Sequence, residues 1–342
     1  MRSNMSEPIR LGVSAHASVH SEDLRRGVDF AVRRRPSAGD RTVDLVWRDD
    51  GGGAESARAT AEEFARDAVA AVIGHSRSVA AIAASDVYAR HGIVHVSTAA
   101  SHPWFTDRKL WNVFRLYGRD DDMADTIASF AGSALGCDGL AVLHEATPYG
   151  EHLGCLVERA GAEIRLPWIS RQPIGAALAG LSAPDRRGTA VFFAGGWEAA
   201  SDVLSELRGR GFWGPFVASD DGLTPRFIER CGTFASDTYA VAAAPVRVTR
   251  QDLQREYERQ TGQALDGLAL RSFAATEVIL QVLGDTASLV GEVIADALRA
   301  TTRDTVMGPI QFDLKGDIAA APWTVYAARN GVFVPAWPSR LP

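Results

Sequence analysis

The chain has 342 residues, is 46% hydrophobic and 23% charged, and carries a formal net charge of −6. This is the composition of an ordinary globular protein of one or two domains, and it excludes collagenous, low-complexity and strongly disordered chains. The acidic balance also argues against a nucleic-acid partner. The short basic cluster Arg33–Arg35 falls at the end of an expected helix, where cations complement the helix dipole. The opening MRSNMSEPIRLGVS shows no apolar signal-peptide core, and no apolar run approaches the ~18 residues that span a bilayer. The expectation is a cytoplasmic protein without membrane insertion, or a periplasmic or extracellular one if the sequence has been trimmed.

Along the chain, apolar β-rich runs alternate with amphipathic stretches. Strands are expected over Ile9–Ser14, Thr42–Trp47, Val69–Gly74, Ile93–Ser97, Gly139–Glu145, Thr189–Gly195 and Pro215–Ser219. Several are nearly continuous hydrophobic runs, as in parallel strands covered on both faces. Leu24, Val28 and Ala31 share a helical face, with Ser21 as the expected N-cap and Glu22 and Asp23 in the first turn. Ala61, Phe64, Ala65 and Ala68 mark a second helix, and Leu204–Gly211 closes a later one. Gly51–Gly53, after the acidic RDD, reads as a turn. The alternation predicts a doubly wound α/β fold, and the number of strands predicts two lobes. The polar stretch RLYGRDDDM (Arg115–Met123) marks one crossover and AAAPVRV (Ala242–Val248) another. Lobe one is therefore expected over residues 8–117 plus 248–318, and lobe two over 119–245 plus 320–340.

Ligands of open α/β sheets bind beyond the C-terminal ends of the strands. Ser76 and Ser78 follow one expected strand and Ser97–Ser101 the next, so both sets stand at the same sheet edge. Helix N–H groups after Ser76, with hydroxyls beside them, suit an anion; the alternative is that the serines only cap helices. Cys137, Cys155 and Cys231 have no metal-ligand spacing and are expected to be reduced thiols. No metal or cofactor is expected.

Three stretches carry a resemblance: VIGHSRS…ASDVY…GI (Val72–Ile93), HEATPYGEH (His144–His152) and DTVMGPIQFDLKGD (Asp304–Asp317). In this order the chain resembles the leucine/isoleucine/valine-binding proteins of ABC transporters, of the type I periplasmic binding protein superfamily, from about Ile9 to Trp337. The resemblance implies two Rossmann-like lobes, three crossovers and a ligand cleft between the lobes, holding a small α-amino acid or related carboxylate or amide. It places the ligand carboxylate at Ser78, Ala99 and Ser101. It places Tyr149 over the ligand, Asp220 or Asp221 at its ammonium, and His20 where relatives often carry an aromatic.

The chain departs from the pattern in places. Gly196 stands where relatives carry a pocket tyrosine, with Trp197 as the neighbour that substitutes, and Leu268 stands where they carry an aromatic. Arg77, Arg271, His75, His102 and Trp104 are expected to add charge or bulk near the mouth, which suggests a ligand larger than leucine. Gly52 and Arg77 occupy the positions of a disulfide common in exported relatives, which again favours the cytoplasm. The main reading is a binding module whose partners are a small molecule and either an ABC permease or a regulatory protein. The alternative is a cytoplasmic biosynthetic enzyme acting on an amino-acid-derived substrate, with His20, His102, Tyr149, Asp220 and Arg271 as its candidate groups; no nucleophile–base motif accompanies them.

Overall fold

Every apolar run expected as a strand is one, with bounds within two residues of those expected. The computed structural model describes residues 7–17, 19–174, 188–243, 248–318 and 323–338, with Val19 and His20 as backbone only. Its contacts divide the chain into two compact units, Met1–Tyr117 with Pro245–Ala321, and Gly118–Ala244 with Pro322–Pro342. The chain therefore passes from one unit to the other at 117/118, 244/245 and 321/322.

In the first unit, β1 (Ile9–Ser14), β2 (Ser37–Ala38), β3 (Arg41–Arg48), β4 (Ala71–Gly74), β5 (Val94–Ser97) and β6 (Val113–Arg115) form one sheet. Its order is β2-β3-β1-β4-β5-β6, parallel except for the β2–β3 pair. Strand alternation sends side chains to two cores. Leu11, Val13, Ala71, Ile73, Val94 and Val96 pack with α1 (Val19–Arg34) and the Gly267–Thr286 helix. On the other face Val72 meets Phe64 of α2 (Ala54–Arg66) and Ala80, Ala84, Val87 and Tyr88 of α3 (Ser78–Arg90). Fully burying one such Val, Ile or Phe side chain stabilises by about 1.5–3 kcal/mol. The Gly267–Thr286 helix is long and apolar enough to cross a membrane by length and composition, with a mean hydropathy of 1.2, yet 67% of that window is buried inside the protein. It is the central core helix of this unit. The hairpin β12 (Arg303–Thr305) and β13 (Gly308–Ile310) follows, and then a turn that adds to the edge of β6.

The second unit holds β7 (Gly139–His144), β8 (Trp168–Pro173), β9 (Thr189–Ala194), β10 (Phe216–Ala218), β11 (Thr238–Ala243), β14 (Trp323–Arg329) and β15 (Val332–Trp337). Their order is β15-β14-β11-β10-β9-β7-β8. The run from β8 to β11 is parallel, and β14 and β15 close the sheet antiparallel. Leu143, Val191, Phe193 and Phe216 build a core with Leu204 and Leu207 of the Trp197–Gly209 helix.

Some details differ from expectation. Ser21 lies inside α1, which begins at Val19, and so does not cap it. Ala68 lies beyond α2, with a φ of +53°. Arg115, expected in a polar break, is the last residue of β6 and fully buried. Strand β6 was not foreseen because it is only three residues long, and β8 because Arg171 and Gln172 interrupt its apolar pattern.

Both sheets reverse direction once, β1 to β4 in the first and β7 to β9 in the second. Each unit thus has its own topological switch point, and the segments after these strands carry half of the candidate residues, His20, Ser78, Tyr149 and Trp197.

Gly316 shows how tightly the turn beside β6 is fitted. Its φ is +96°, and an added Cβ would lie 2.0 Å from the Val113 carbonyl oxygen. Gly316→Ala is expected to cost more than about 2 kcal/mol, combining backbone strain with a backbone clash. Urea unfolding of the variant beside the parent measures it.

Candidate ligand-binding site

In the first unit, β4 ends at Gly74, whose φ is +129° and whose Cβ would meet the Ser14 carbonyl oxygen at 1.9 Å. The chain then turns through His75–Arg77 into α3. Arg77 is the N-cap and Ser78 the first helical residue, so Ser78 is not a capping serine. Instead Ser78 Oγ accepts from the His102 N–H at 3.3 Å, which ties the start of α3 to the loop after β5. In that loop Ser97 Oγ accepts from the Ala100 N–H at 3.0 Å and from the Ala99 N–H at 3.4 Å. Ser78, Ala99 and Ser101 are thus brought to one edge of this sheet, with Ser78 and Ala99 half-buried and Ser101 buried.

The loop is held from behind. Arg115, fully buried, donates from Nη1 to the carbonyls of Ala100 at 3.2 Å and His102 at 3.0 Å. Its Nε reaches Asp317 Oδ1 at 2.8 Å, and Thr106 Oγ1 bridges Arg115 and Asp317 at 2.7 and 3.0 Å. Asp317 ends the GPIQFDLKGD segment. In the same segment Asp313 Oδ1 accepts from the N–H groups of Lys315, Gly316 and Asp317, which sets the turn. Arg271 donates from Nε to the Thr98 carbonyl at 2.8 Å and lies 4.3 Å over the Tyr117 ring.

His75, expected near the mouth, is instead fully buried. Its Nδ1 meets Asp50 Oδ2 at 2.7 Å and its Nε2 the Tyr88 hydroxyl at 2.9 Å. His95 stands edge-on to it and bonds the Gly74 carbonyl at 2.7 Å. These groups support the turn after β4 from inside. Burial tends to raise the Asp50 carboxyl, but His75, the Gly52 N–H and Ser14 outweigh it and hold it below its ordinary value. Burial, and then His75, keep His95 well below the ordinary 6.5. Trp104 is exposed, and Arg77 is exposed with its side chain passing over Gly52. Leu268 packs partly buried against the core of its unit.

In the second unit, Tyr149 sits in the first turn of the Pro148–Glu163 helix, whose N-cap Thr147 accepts from the Gly150 N–H at 3.1 Å. The Tyr149 hydroxyl donates to Asp220 Oδ1 at 2.7 Å. Burial, and then the charges of Asp220 and Asp120, raise the Tyr149 phenol well above its ordinary value, so it remains a donor. Asp221 faces elsewhere: its Oδ2 accepts from the Trp197 N–H at 3.0 Å, at the N-terminus of the Trp197–Gly209 helix. Asp221 thus serves a helix end, whereas Asp220 faces Tyr149. Trp197 is half-buried and packs against the core of this unit. Gly196 N-caps the same helix.

His20 lies in the first turn of α1, and its side chain is outside the described residues. Among the described residues no cluster of three or more His, Cys, Asp or Glu has a metal-holding arrangement. Residue-type reasoning missed Arg115, Asp317 and Arg271 as supports of the loop. The one available signal was an arginine at the end of an apolar run, VFR, which is unusual for a buried strand unless the charge is paired.

A family model described as Periplasmic binding protein matches residues 12–331. A Leu/Ile/Val-binding protein homolog 2 of Brucella abortus (strain 2308) is 25% identical over 94% of this chain and 91% of its own length. Among solved structures, a leucine binding protein from Thermotoga maritima MSB8 superposes with a TM-score of 0.85 at 19% identity, covering 96% of this chain and 97% of that one. A solute binding protein of an ABC transporter from R. palustris, in complex with benzoate, gives a TM-score of 0.79 at 15% identity, with 96% and 95% covered.

Buried His95 makes stability depend on pH. His95 resists protonation when folded and accepts a proton when unfolded, so its contribution is present above pH 6.5 and is lost as the pH falls. Unfolding free energy is expected to drop below that pH by up to about 1.4 kcal/mol per pH unit, and His95→Gln to flatten the curve, as read by denaturant titrations from pH 7.5 to 5. Separately, Asp221→Ala is expected to cost about 1 kcal/mol of stability through the lost helix-end contact. Asp220→Asn, which keeps an oxygen to accept from the Tyr149 hydroxyl, should leave the thermal midpoint nearly unchanged.

Proposed function

Because the chain belongs to the periplasmic binding protein family, we propose that it is the ligand-binding component of an ABC-type uptake system, taking a small α-amino acid. The observation that carries the choice of ligand is the Tyr149–Asp220 hydrogen bond in the second unit. It fixes a carboxylate, with a phenol as its permanent donor, in a family whose relatives are named for amino acids. A carboxylate held this way suits an ammonium, and charge-assisted hydrogen bonds give orientation as well as energy.

The first unit supplies the complementary chemistry. Ser78 Oγ already accepts from His102, so its own hydrogen is left to donate to an acceptor. Ser78, Ala99 and Ser101 are the proposed carboxylate-binding residues of the first unit, and Tyr149 and Asp220, with Trp197 as a further candidate, the proposed ammonium-binding residues of the second. Leucine and benzoate, named for two of the similar structures, share a carboxylate, and only the amino acid carries an ammonium. Asp220 therefore favours amino acids over simple aromatic acids, which would meet an uncompensated negative charge.

The partner of a loaded binding protein of this kind is an ABC permease. The comparisons support binding rather than the biosynthetic-enzyme alternative. They give the expected cytoplasmic placement no support, since the matching family is one of periplasmic binding proteins.

Thermal-shift screening against the common L-amino acids and benzoate tests the reading. A ligand at one hundred times its Kd adds about 2.7 kcal/mol of stability. At least one L-amino acid is expected to do so, and benzoate to do less. By calorimetry, Asp220→Asn is expected to lose several kcal/mol of amino-acid binding and Ser78→Ala about 1–3 kcal/mol. A parent protein that none of these compounds stabilises, or variants that bind like the parent, would overturn the assignment.

A further inference from the structure

We infer that Arg271 and Arg115 are positioning residues that impose a carboxylate preference on the first unit from behind its loop. The inference rests on the proposed role of Ala99 and Ser101 and adds how that role is set. Arg271 binds the Thr98 carbonyl, and Arg115 binds the carbonyls of Ala100 and His102. The first two of these belong to the peptides whose N–H groups are those of Ala99 and Ser101. Among the described residues the cis peptides are Gly74–His75 and Trp337–Pro338, so both loop peptides are trans. In a planar trans peptide the N–H points opposite to the C=O. Each guanidinium therefore fixes one carbonyl towards itself and turns the matching N–H of Ala99 or Ser101 the other way.

The intervening peptide is fixed differently. The Ala100 N–H goes to Ser97 Oγ at 3.0 Å, whereas the Ala99 N–H has only a 3.4 Å contact with the same oxygen. The loop thus commits the Ala100 donor to Ser97 firmly and the Ala99 donor only through a longer contact, which an anion can replace. A cation on the carbonyl also polarises its amide, which strengthens the N–H on the far side as a donor to an anion. The two arginines are themselves fixed. Arg115 is paired with buried Asp317, and Arg271 is stacked on Tyr117. A lysine reproduces neither the planar fork nor the stacking.

The test has a ligand-free arm and a ligand arm. In the unliganded protein, Arg271→Met is expected to speed amide hydrogen exchange at Ala99, and Arg115→Met with Asp317→Asn to speed it at Ser101, with exchange in the β-strands unchanged. For ligands, L-leucine with L-leucinamide and benzoate with benzamide are compared by calorimetry. Arg271→Met should weaken the carboxylate of whichever pair binds by about tenfold, the value of one charge-assisted hydrogen bond, and change its amide little. Arg271→Lys should recover part of that loss. Arg115→Met is paired with Asp317→Asn, so that no buried charge is stranded, and is expected to give the same split. Unchanged exchange at Ala99 and Ser101, or equal loss for carboxylate and amide, overturns the inference. If neither carboxylate binds the parent, the amino-acid reading fails for these probes, and the exchange arm still decides the positioning role.

Discussion

The buried pair of Arg115 and Asp317 is the interaction on which the first unit's ligand edge depends. Removing both charges from water is expensive, and such a pair persists only where its remaining donors and acceptors are also satisfied. Here they are. The guanidinium spends its other donors on Thr106 and on two loop carbonyls, and the carboxylate accepts from Thr106 as well. The result joins residues 202 positions apart in sequence into one small polar core at the end of β6. Without it the loop after β5 has carbonyls facing a dry interior with nothing to bind.

The second unit solves the same problem by another route. Its candidate residues are placed by helix starts rather than by a buried ion pair. Thr147 begins the helix that carries Tyr149, and Asp221 meets the first turn of the next helix. Adjacent aspartates with unlike surroundings then differ in role. The carboxylate of Asp221 bonds a backbone N–H at a helix start, and that of Asp220 accepts from a phenol.

Much of this was legible in the residues. Continuous apolar runs such as VFF and AVI announced parallel strands, and their order announced the doubly wound fold. Ser78 was singled out because ligands of such sheets lie just after strands, whereas Tyr149 and Asp220 or Asp221 were proposed only from the family resemblance. The supports were not legible. Nothing local marks Arg115 as buried, because its partner is remote and the pairing exists only once the 313–317 turn lies against β6. His75 was misread for a related reason. A histidine after a strand looks like a mouth residue until Asp50 and Tyr88 are seen to enclose it. Ser21 misled because a good capping residue sat two positions inside a helix that had already begun.

The threefold passage of the chain between units has a consequence for synthesis. The first unit receives its central helix and Asp317 only after the second unit's parallel strands have been made. Emerging from the ribosome, residues 7–117 present a sheet with one face covered only in part, by α1, and Arg115 without its counter-charge. Domains commonly fold as they are made, and exposed apolar surface in the interim invites aggregation. The second unit's parallel sheet can assemble while the first waits, which makes the N-terminal half the natural client of a holding chaperone. Truncations ending between residues 118 and 266 are therefore the forms most prone to stick, although they contain every strand of the first sheet.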